Sequence, residues 1–439
     1  MTTETRTARD ELALATVPTN DLRSFIGGYI TRIRGGDMGS LPAVAALLVL
    51  VLIFSIFDSG FFSLSNLTSL TTQAAPGVLL AMGLIFVLLL GEIDLSAGTT
   101  SGVGAGIIAV LLFRQWPWPL AVLVALLVGA GIGLFIGWMR AKVRVPSFVV
   151  TLALFLALQG VLIMVMNTVG SSGSLSYHEP VLDALENDLM PVWLGWVLAI
   201  ALVLGYAGVT LNRVRARRAR GLVTEPTAVT ALKIGATAVV VLGATALYNI
   251  NQNAGVAPGV ATVDGQLVHV PAPTLQGIPW VVPLIVVLVL VLAFVLNRTK
   301  YGRHIYAVGG NDEAARRAGI RVDAVRISVF VICSTMAVIS GLVLGSQSGV
   351  SQQTGGGNTL LLAVGAAVVG GTSLFGGKGK ITDAVIGGLV VAVIINGMSD
   401  LITGKNNAAW QAIVTGAVLA LAATVDALSR RRAGSTGLS

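Results

Sequence analysis

From residue 41 onward the chain runs as long apolar stretches separated by short polar or glycine-rich breaks. Neither strict two-residue alternation nor a one-sided helical stripe governs these stretches. They are apolar all round, as in a helix surrounded by lipid or by other apolar helices. A helix needs about 20 apolar residues to cross the hydrocarbon core, with a range of about 17–25. On that basis the pattern predicts spans at Leu41–Phe57, Ala74–Leu90, Thr99–Phe113, Pro119–Trp138, Phe148–Met166 and Pro191–Leu211. It continues with Ala231–Tyr248, Trp280–Leu296, Ile327–Leu344, Thr359–Gly371, Ile381–Leu401 and Ala408–Leu428. Thr99–Phe113 and Thr359–Gly371 are short and glycine-rich, the form taken by re-entrant or broken helices. The expected fold class is therefore all-α, a polytopic transmembrane helical bundle of about twelve spans with two repeated halves and re-entrant Gly-rich segments. Ten spans is the alternative count.

Composition removes the competing classes. Hydrophobic residues make up 55% of the 439 and charged residues 11%, against about 25% charged in soluble domains. Several soluble cores could not be covered with so few polar side chains, and disorder is excluded by the same figures. Cys333 is the single cysteine, so neither a disulfide framework nor a cysteine metal cluster can form. His178, His269 and His304 lack metal-ligand spacing. No metal and no cofactor is expected.

The formal charge of +8 is an orientation signal, because basic residues collect in cytoplasmic loops. With twelve spans and a cytoplasmic N-terminus, all Lys and Arg except Arg114 and Lys405 fall on the inner side. Both termini are then cytoplasmic: a 1–40 tail and a 429–439 tail flank a transmembrane body over 41–428. The first span is expected to act as an uncleaved signal anchor. Within the tail, Asp21–Arg34 has apolar residues at helical spacing among arginines, a pattern that suits an interfacial helix on the inner leaflet. The Arg213–Arg220 cluster reads first as an ordinary inner loop, with contact to anionic lipid as the alternative. No nucleic-acid-reading motif accompanies the basic charge.

The chain has no evident energy source. The stretch Gly370–Lys378 lacks the spacing and the Ser/Thr of a phosphate-binding loop. Glu92, Asp94, Asp383, Asp400 and Asp426 all lie near span ends rather than in mid-membrane, where a coupling proton or Na⁺ would need to be felt. No catalytic constellation stands out. The amides Gln159, Asn167, Asn249, Gln347, Asn396 and Gln411 fall in or beside apolar runs and could bind a neutral polyhydroxyl ligand or tie helices together. Trp116, Trp118, Trp193, Trp196 and Trp280 lie near outer ends, as interfacial anchors do.

Two segments repeat. Gly91-Glu92-Ile93-Asp94-Leu95-Ser96-Ala97-Gly98 aligns with Gly370-Gly371-Thr372-Ser373-Leu374-Phe375-Gly376-Gly377, Gly91 over Gly370. Each joins an inward-running span to an outward-running one, so a parallel half-chain repeat follows. Tight capped turns and pathway-lining hinges both fit. Hinge or pathway candidates are Gly91, Glu92, Asp94, Ser96, Gly98, Gly371, Thr372, Ser373 and Gly377, with Gln159, Asn167, Gln347 and Asn396 from the spans. In the inner loop 298–326, Gly309-Gly310 is expected to break the chain. Asn311 or Asp312 can cap a short helix, Glu313 favours its positive end, and Ala314, Ala315 and Ala318 give it a slim face. Arg316 and Arg317 suit its C-terminus, and Gly319 can stop it.

Taken together, these segments resemble the permeases of monosaccharide ABC importers of the ribose and xylose type. The 91–98 segment is similar to their Gly-x-Ile-Asp-Leu-Ser-x-Gly signature. Val145-Pro146-Ser147-Phe148-Val149-Val150-Thr151-Leu152, the 301–320 stretch and Gly370–Gly379 match three further family segments in order. The chain departs in two places. Glu92 stands where many relatives have Gly, and the block 213–279 is enlarged, more like the xylose type.

The resemblance implies a transport subunit and not an enzyme, working as a homodimer in the bacterial cytoplasmic membrane. It would move a monosaccharide, a xylose-like pentose favoured, by alternating access. A separate ATPase would supply the energy, and an extracytoplasmic sugar-binding protein would deliver the solute. The coupling loop 298–326 would contact the ATPase through Gly309, Gly310, Asn311, Glu313, Ala314, Ala315, Arg316 and Gly319. An importer for another small polar solute and an ion-coupled secondary transporter are the alternatives.

Overall fold

A computed structural model describes residues 40–58, 60–169, 174–177, 179–222, 224–250, 259–263, 266–270, 276–401 and 409–417, with 420 and 424. The expected interfacial helix at 21–34, most of the last span and the C-terminal tail lie outside the described residues, as does His178.

The elements are α1 (Leu41–Phe57), α2 (Leu64–Leu89), α3 (Ala97–Phe113), α4 (Trp118–Trp138), α5 (Ser147–Asn167), α6 (Pro180–Asn187), α7 (Val192–Ala219) and α8 (Thr227–Tyr248). An antiparallel hairpin follows, β1 (Gly259–Val263) and β2 (Gln266–Val270), with Gly259 opposite Val270. Then come α9 (Val281–Arg298), α10 (Lys300–Gly310), α11 (Asp312–Arg317), α12 (Val322–Ser348), α13 (Gly357–Val369) and α14 (Ile381–Leu401). Residues 409–417 are helical. Among the described residues eight helices are long and apolar enough to cross a membrane, and α1, α3 and α13 are shorter apolar helices. The chain is a polytopic helical bundle, as its apolar runs predict.

The chain divides into two compact units, one containing α7 and α8 and the other the remaining elements. In the first, α7 and α8 pack on each other, and Lys233 pairs with Glu225 at 2.6 Å. The basic run after Leu211 is not a loop but the last turns of α7, closed by Gly221 at φ +67°. Arginine is a good helix former, and cations suit a helix C-terminus.

In the second unit, α12 is the axis, packed against α2, α3 and α4. Its neighbours approach closely because they offer glycine: a Cβ on Gly137 of α4 would lie 2.6 Å from the Ile327 Cα, and one on Gly83 of α2 would lie 2.7 Å from the Met336 Cβ. Small residues let helix backbones close on one another where lipid supplies no hydrophobic drive. The faces turned away from this core carry exposed Leu, Val, Ile and Phe, for example Leu48, Leu127 and Phe294, as a lipid-facing surface requires.

The helix α2 starts ten residues before the predicted span. Its first turns are Ser, Asn, Thr and Gln, which hydropathy does not register. Ser63 accepts the Asn66 N–H as a cap, and the Thr71 hydroxyl donates to the Leu67 carbonyl at 2.9 Å.

Candidate functional site

The two repeated hinges begin with the same backbone turn. At the end of α2, the Gly91 N–H donates to the Leu88 carbonyl and the Glu92 N–H to the Val87 carbonyl, with Gly91 at φ +68°. At the end of α13, Gly371 donates to Val368 and Thr372 to Ala367, with Gly371 at φ +117°. This paired 5→2 and 6→1 closure needs a left-handed residue, and glycine adopts it without Cβ strain. The repeat register is therefore Gly91 over Gly371, one residue from the sequence alignment, because Gly370 still has helical φ and ψ.

After the shared turn the hinges diverge. Residues 92–96 form a non-helical segment that runs into the bundle. Asp94 is 1% exposed; its Oδ1 accepts the Ser96 N–H at 3.0 Å and the Ser96 hydroxyl at 2.6 Å. Ser96 is the N-cap residue of α3, but its side chain makes no capping bond; Asp94 organises the turn instead. A Cβ on Gly98 would lie 2.9 Å from the Gly355 carbonyl oxygen. Gly355 belongs to the connection reached from the far end of α12, so α3 and α13 both begin within the depth of the bundle. Non-helical backbone is tolerated at membrane depth where protein satisfies it.

The second hinge is held by backbone and by Asp383. Its Oδ2 accepts the Thr372 hydroxyl at 3.1 Å and the Lys380 N–H at 2.8 Å, and Ser373 N–H donates to the Lys378 carbonyl at 2.9 Å.

The inner loop brings both hinges together. Thr299 caps α10 by accepting the Gly302 N–H at 3.1 Å. Gly309 and Gly310 do not break the chain; they complete α10. A Cβ on Gly309 would overlap the Leu89 carbonyl oxygen at the end of α2, and that oxygen accepts the Gly377 N–H at 2.9 Å. The glycine is there for close approach rather than for a turn. A Cβ on Gly91 would lie 3.2 Å from the Phe375 carbonyl oxygen, so the two hinges also touch each other. Tyr306 donates its hydroxyl to the Gly379 carbonyl at 2.7 Å; burial, and then the Asp383 carboxylate nearby, raise its pKa above the ordinary tyrosine value.

The Asn311 Oδ1 accepts the Ala314 N–H at 2.8 Å and starts α11, as its sequence implies. Glu313 pairs with Arg317 one turn on, and Gly319 at φ +83° closes the helix. Ala315 is buried, whereas Glu313, Ala314 and Arg316 are exposed.

The residues that sequence reading missed are charged partners. Glu92 accepts from Arg140 at 2.7 Å and lies 3.5 Å from Arg326, which holds Asp312 at 2.9 Å. Arg140 is carried by a π-turn, Met139–Val143, at the end of α4. Hinge, α4, α11 and α12 are joined by four side chains around a polar cleft of about 270 Å³ that also includes Gly309 and Gly310. The separations of 48 and 234 residues leave no local signal.

The remaining candidates disperse. Asn167 is exposed and accepts from Gln352 at 2.9 Å. Gln159 is half-buried on α5, Asn396 is 4% exposed on α14, and Gln347 lines a separate cavity. Among the described residues no cluster of His, Cys, Asp and Glu could hold a metal.

Comparison with known proteins gives the geometry a family. Residues 66–211 and 182–423 match the family described as the branched-chain amino acid transport system / permease component. The chain is 34% identical to the xylose transport system permease protein of Escherichia coli K12 over 92% of its own length and 96% of the relative's. It is 32% identical to the Haemophilus influenzae xylose permease over 88% and 96%. Identity to the E. coli K12 ribose import permease protein is 28% over 88% and 92%. No solved structure matches the chain significantly. With the hinges, the spans and nearly the whole length accounted for, the chain belongs to the family of multi-pass permease components that includes these sugar permeases.

Proposed function

We propose that this chain is the permease subunit of an ABC importer for a monosaccharide, a xylose-like pentose, in the bacterial cytoplasmic membrane. The observation that carries the reading is the likeness to a xylose permease along 92% of the chain. In this reading two copies form the pathway, and both termini are cytoplasmic. ATP is hydrolysed on a separate ATPase subunit, and an extracytoplasmic binding protein supplies the sugar.

The coupling geometry supports a division of labour. The helix α11 presents exposed Glu313, Ala314 and Arg316 outward. Behind it, Asp312–Arg326–Glu92–Arg140 and the Gly309–Leu89 contact connect it to α12, to the first hinge and to the end of α2. Movement imposed on α11 by an ATPase reaches both hinges through these contacts, and the hinges switch the path between outward- and inward-open states. The test is uptake of radiolabelled D-xylose by cells lacking other pentose carriers, with and without the ATPase partner. Uptake is expected only with the ATPase, and accumulation without it would overturn the reading.

A further inference from the structure

A second polar feature lies midway along α2, at the end of α12 far from the ion pairs, and the coupling scheme does not use it. A cavity of about 130 Å³ sits among α2, α12, α13 and α14. A water needs about 10–15 Å³ on such a measure, so the space admits a small solute. Gly77 lines it, twelve residues before Leu89, or roughly 18 Å along a helix rising 1.5 Å per residue.

Three polar side chains line this cavity, Gln73, Gln347 and Thr359, one from each of α2, α12 and α13. None of the three has a hydrogen-bond partner among the described residues. Some amides are partnered, as Asn167 with Gln352 and Gln411 with Ser399, whereas the buried Asn396 Oδ1 is not. Pro76 also lines the cavity and has no N–H to give the Thr72 carbonyl, so one bond of the helix ladder is missing beside it. The rest of the wall is Gly, Ala, Leu, Val and Ile, and no lining residue is charged.

We propose that this cavity is a sugar-selecting site on the translocation path, in which Gln73, Gln347 and Thr359 exchange hydrogen bonds with the hydroxyls of a neutral pentose. The assignment rests on the permease reading above and adds to it the contact residues. An amide both donates and accepts, as a sugar hydroxyl does, and a threonine hydroxyl can do either. The apolar wall suits the C–H faces of the ring. A zwitterionic amino acid would leave an ammonium and a carboxylate without partners, at a cost far above that of a neutral solute.

The chain offers a clean test, because its single cysteine, Cys333, is buried. A Cβ on Gly77 would meet nothing within 4 Å, so a larger side chain there enters the cavity without displacing its neighbours. In the assembled importer, Gln73→Leu/Gln347→Leu is expected to lower D-xylose uptake at least tenfold, and Gly77→Val to block it. Membrane amount should be retained. As a readout independent of folding losses, Gln347→Cys labelled with a membrane-impermeant thiol reagent should be protected several-fold by D-xylose and not by L-leucine. Unchanged uptake in the double variant, absent xylose protection, or protection by leucine instead would each overturn the assignment while the permease reading stands. An importer that carries no pentose at all would overturn both.

Discussion

The two polar regions along α2 and α12 differ in one respect: whether the protein satisfies its own polar groups. At the α11 end, Glu92, Arg140, Arg326 and Asp312 neutralise one another, with Glu92 and Arg326 largely buried. Midway along α2 and at the far end of α12, Gln73, Gln347 and Thr359 line a cavity with no partner among the described residues. A satisfied, partly buried ion network resists local rearrangement, and removing one member strands the charge of another. Gln73 is exposed and Gln347 and Thr359 are half-buried, so this neutral set pays no full burial cost and leaves its hydrogen bonds for a ligand. The same fold therefore carries a rigid linkage at one end and a receptive surface at the other.

The largest break of that comparison is expected at the linkage. Gly309→Val would drive a side chain into the Leu89 carbonyl that also receives Gly377. Uptake should fall below detection while the protein still reaches the membrane, as read by uptake and immunoblot together. Normal uptake would show that the close approach of α10 to α2 is dispensable.

Next is the charge network. Glu92→Ala leaves Arg140 and Arg326 facing each other without the carboxylate. Breaking a buried pair costs about 3–5 kcal/mol, and with Arg140 partly exposed the lower end of that range is expected. Thermal unfolding in detergent should move down by several degrees, and uptake should drop more than tenfold. Glu92→Gln/Arg326→Met should recover part of the stability. An equally large loss in the double variant would contradict the network.

A smaller effect concerns Glu186 of α6, near the same end of α12 as the cavity. Both its carboxylate oxygens are buried without a partner, and burial pushes its pKa up from 4.5 to about 9. The folded state binds the proton more tightly than the unfolded state, so this group's stabilising contribution is full below about pH 4.5 and declines as pH rises toward 9. Glu186→Gln removes that slope. Its advantage over the parent in thermal stability should be near zero at pH 4.5 and grow at pH 6, 7 and 8. A pH-independent difference would show that the carboxyl is ionised in the fold.

The smallest expected effect is Tyr306→Phe, which removes one hydrogen bond to the Gly379 carbonyl. About 1 kcal/mol is the usual cost, seen as a shift of a few degrees or less in unfolding, with uptake reduced less than threefold. A loss as large as that of Gly309→Val would move the second hinge into the central linkage.

Much of this was legible in the sequence because apolar length is a strong signal. α1 and α14 carry the predicted bounds, and Asn311 caps α11 as its residue type implies. Four features were not legible, each for a definite reason. In Gly370-Gly371 either glycine can take the left-handed turn, and only the hydrogen bonds select the second. Gly309-Gly310 reads as a helix breaker at about 1 kcal/mol per glycine, yet both residues complete α10, Gly309 in close contact with Leu89. Gln73 sits in a Ser/Thr-rich run that resembles a loop, and its neighbours in the cavity come from residues more than 270 positions away. Glu92 was noticed as unusual, but its arginine partners are set by tertiary structure alone.

The most direct measurement is solute accumulation in vesicles containing this chain, with and without the ATPase and binding protein, under a proton or sodium gradient and with ATP supplied on the cytoplasmic side. The account predicts that D-xylose concentrates only when ATPase, ATP and binding protein are all present, and that neither ion gradient substitutes. Concentrative uptake by the chain alone under either gradient would contradict it.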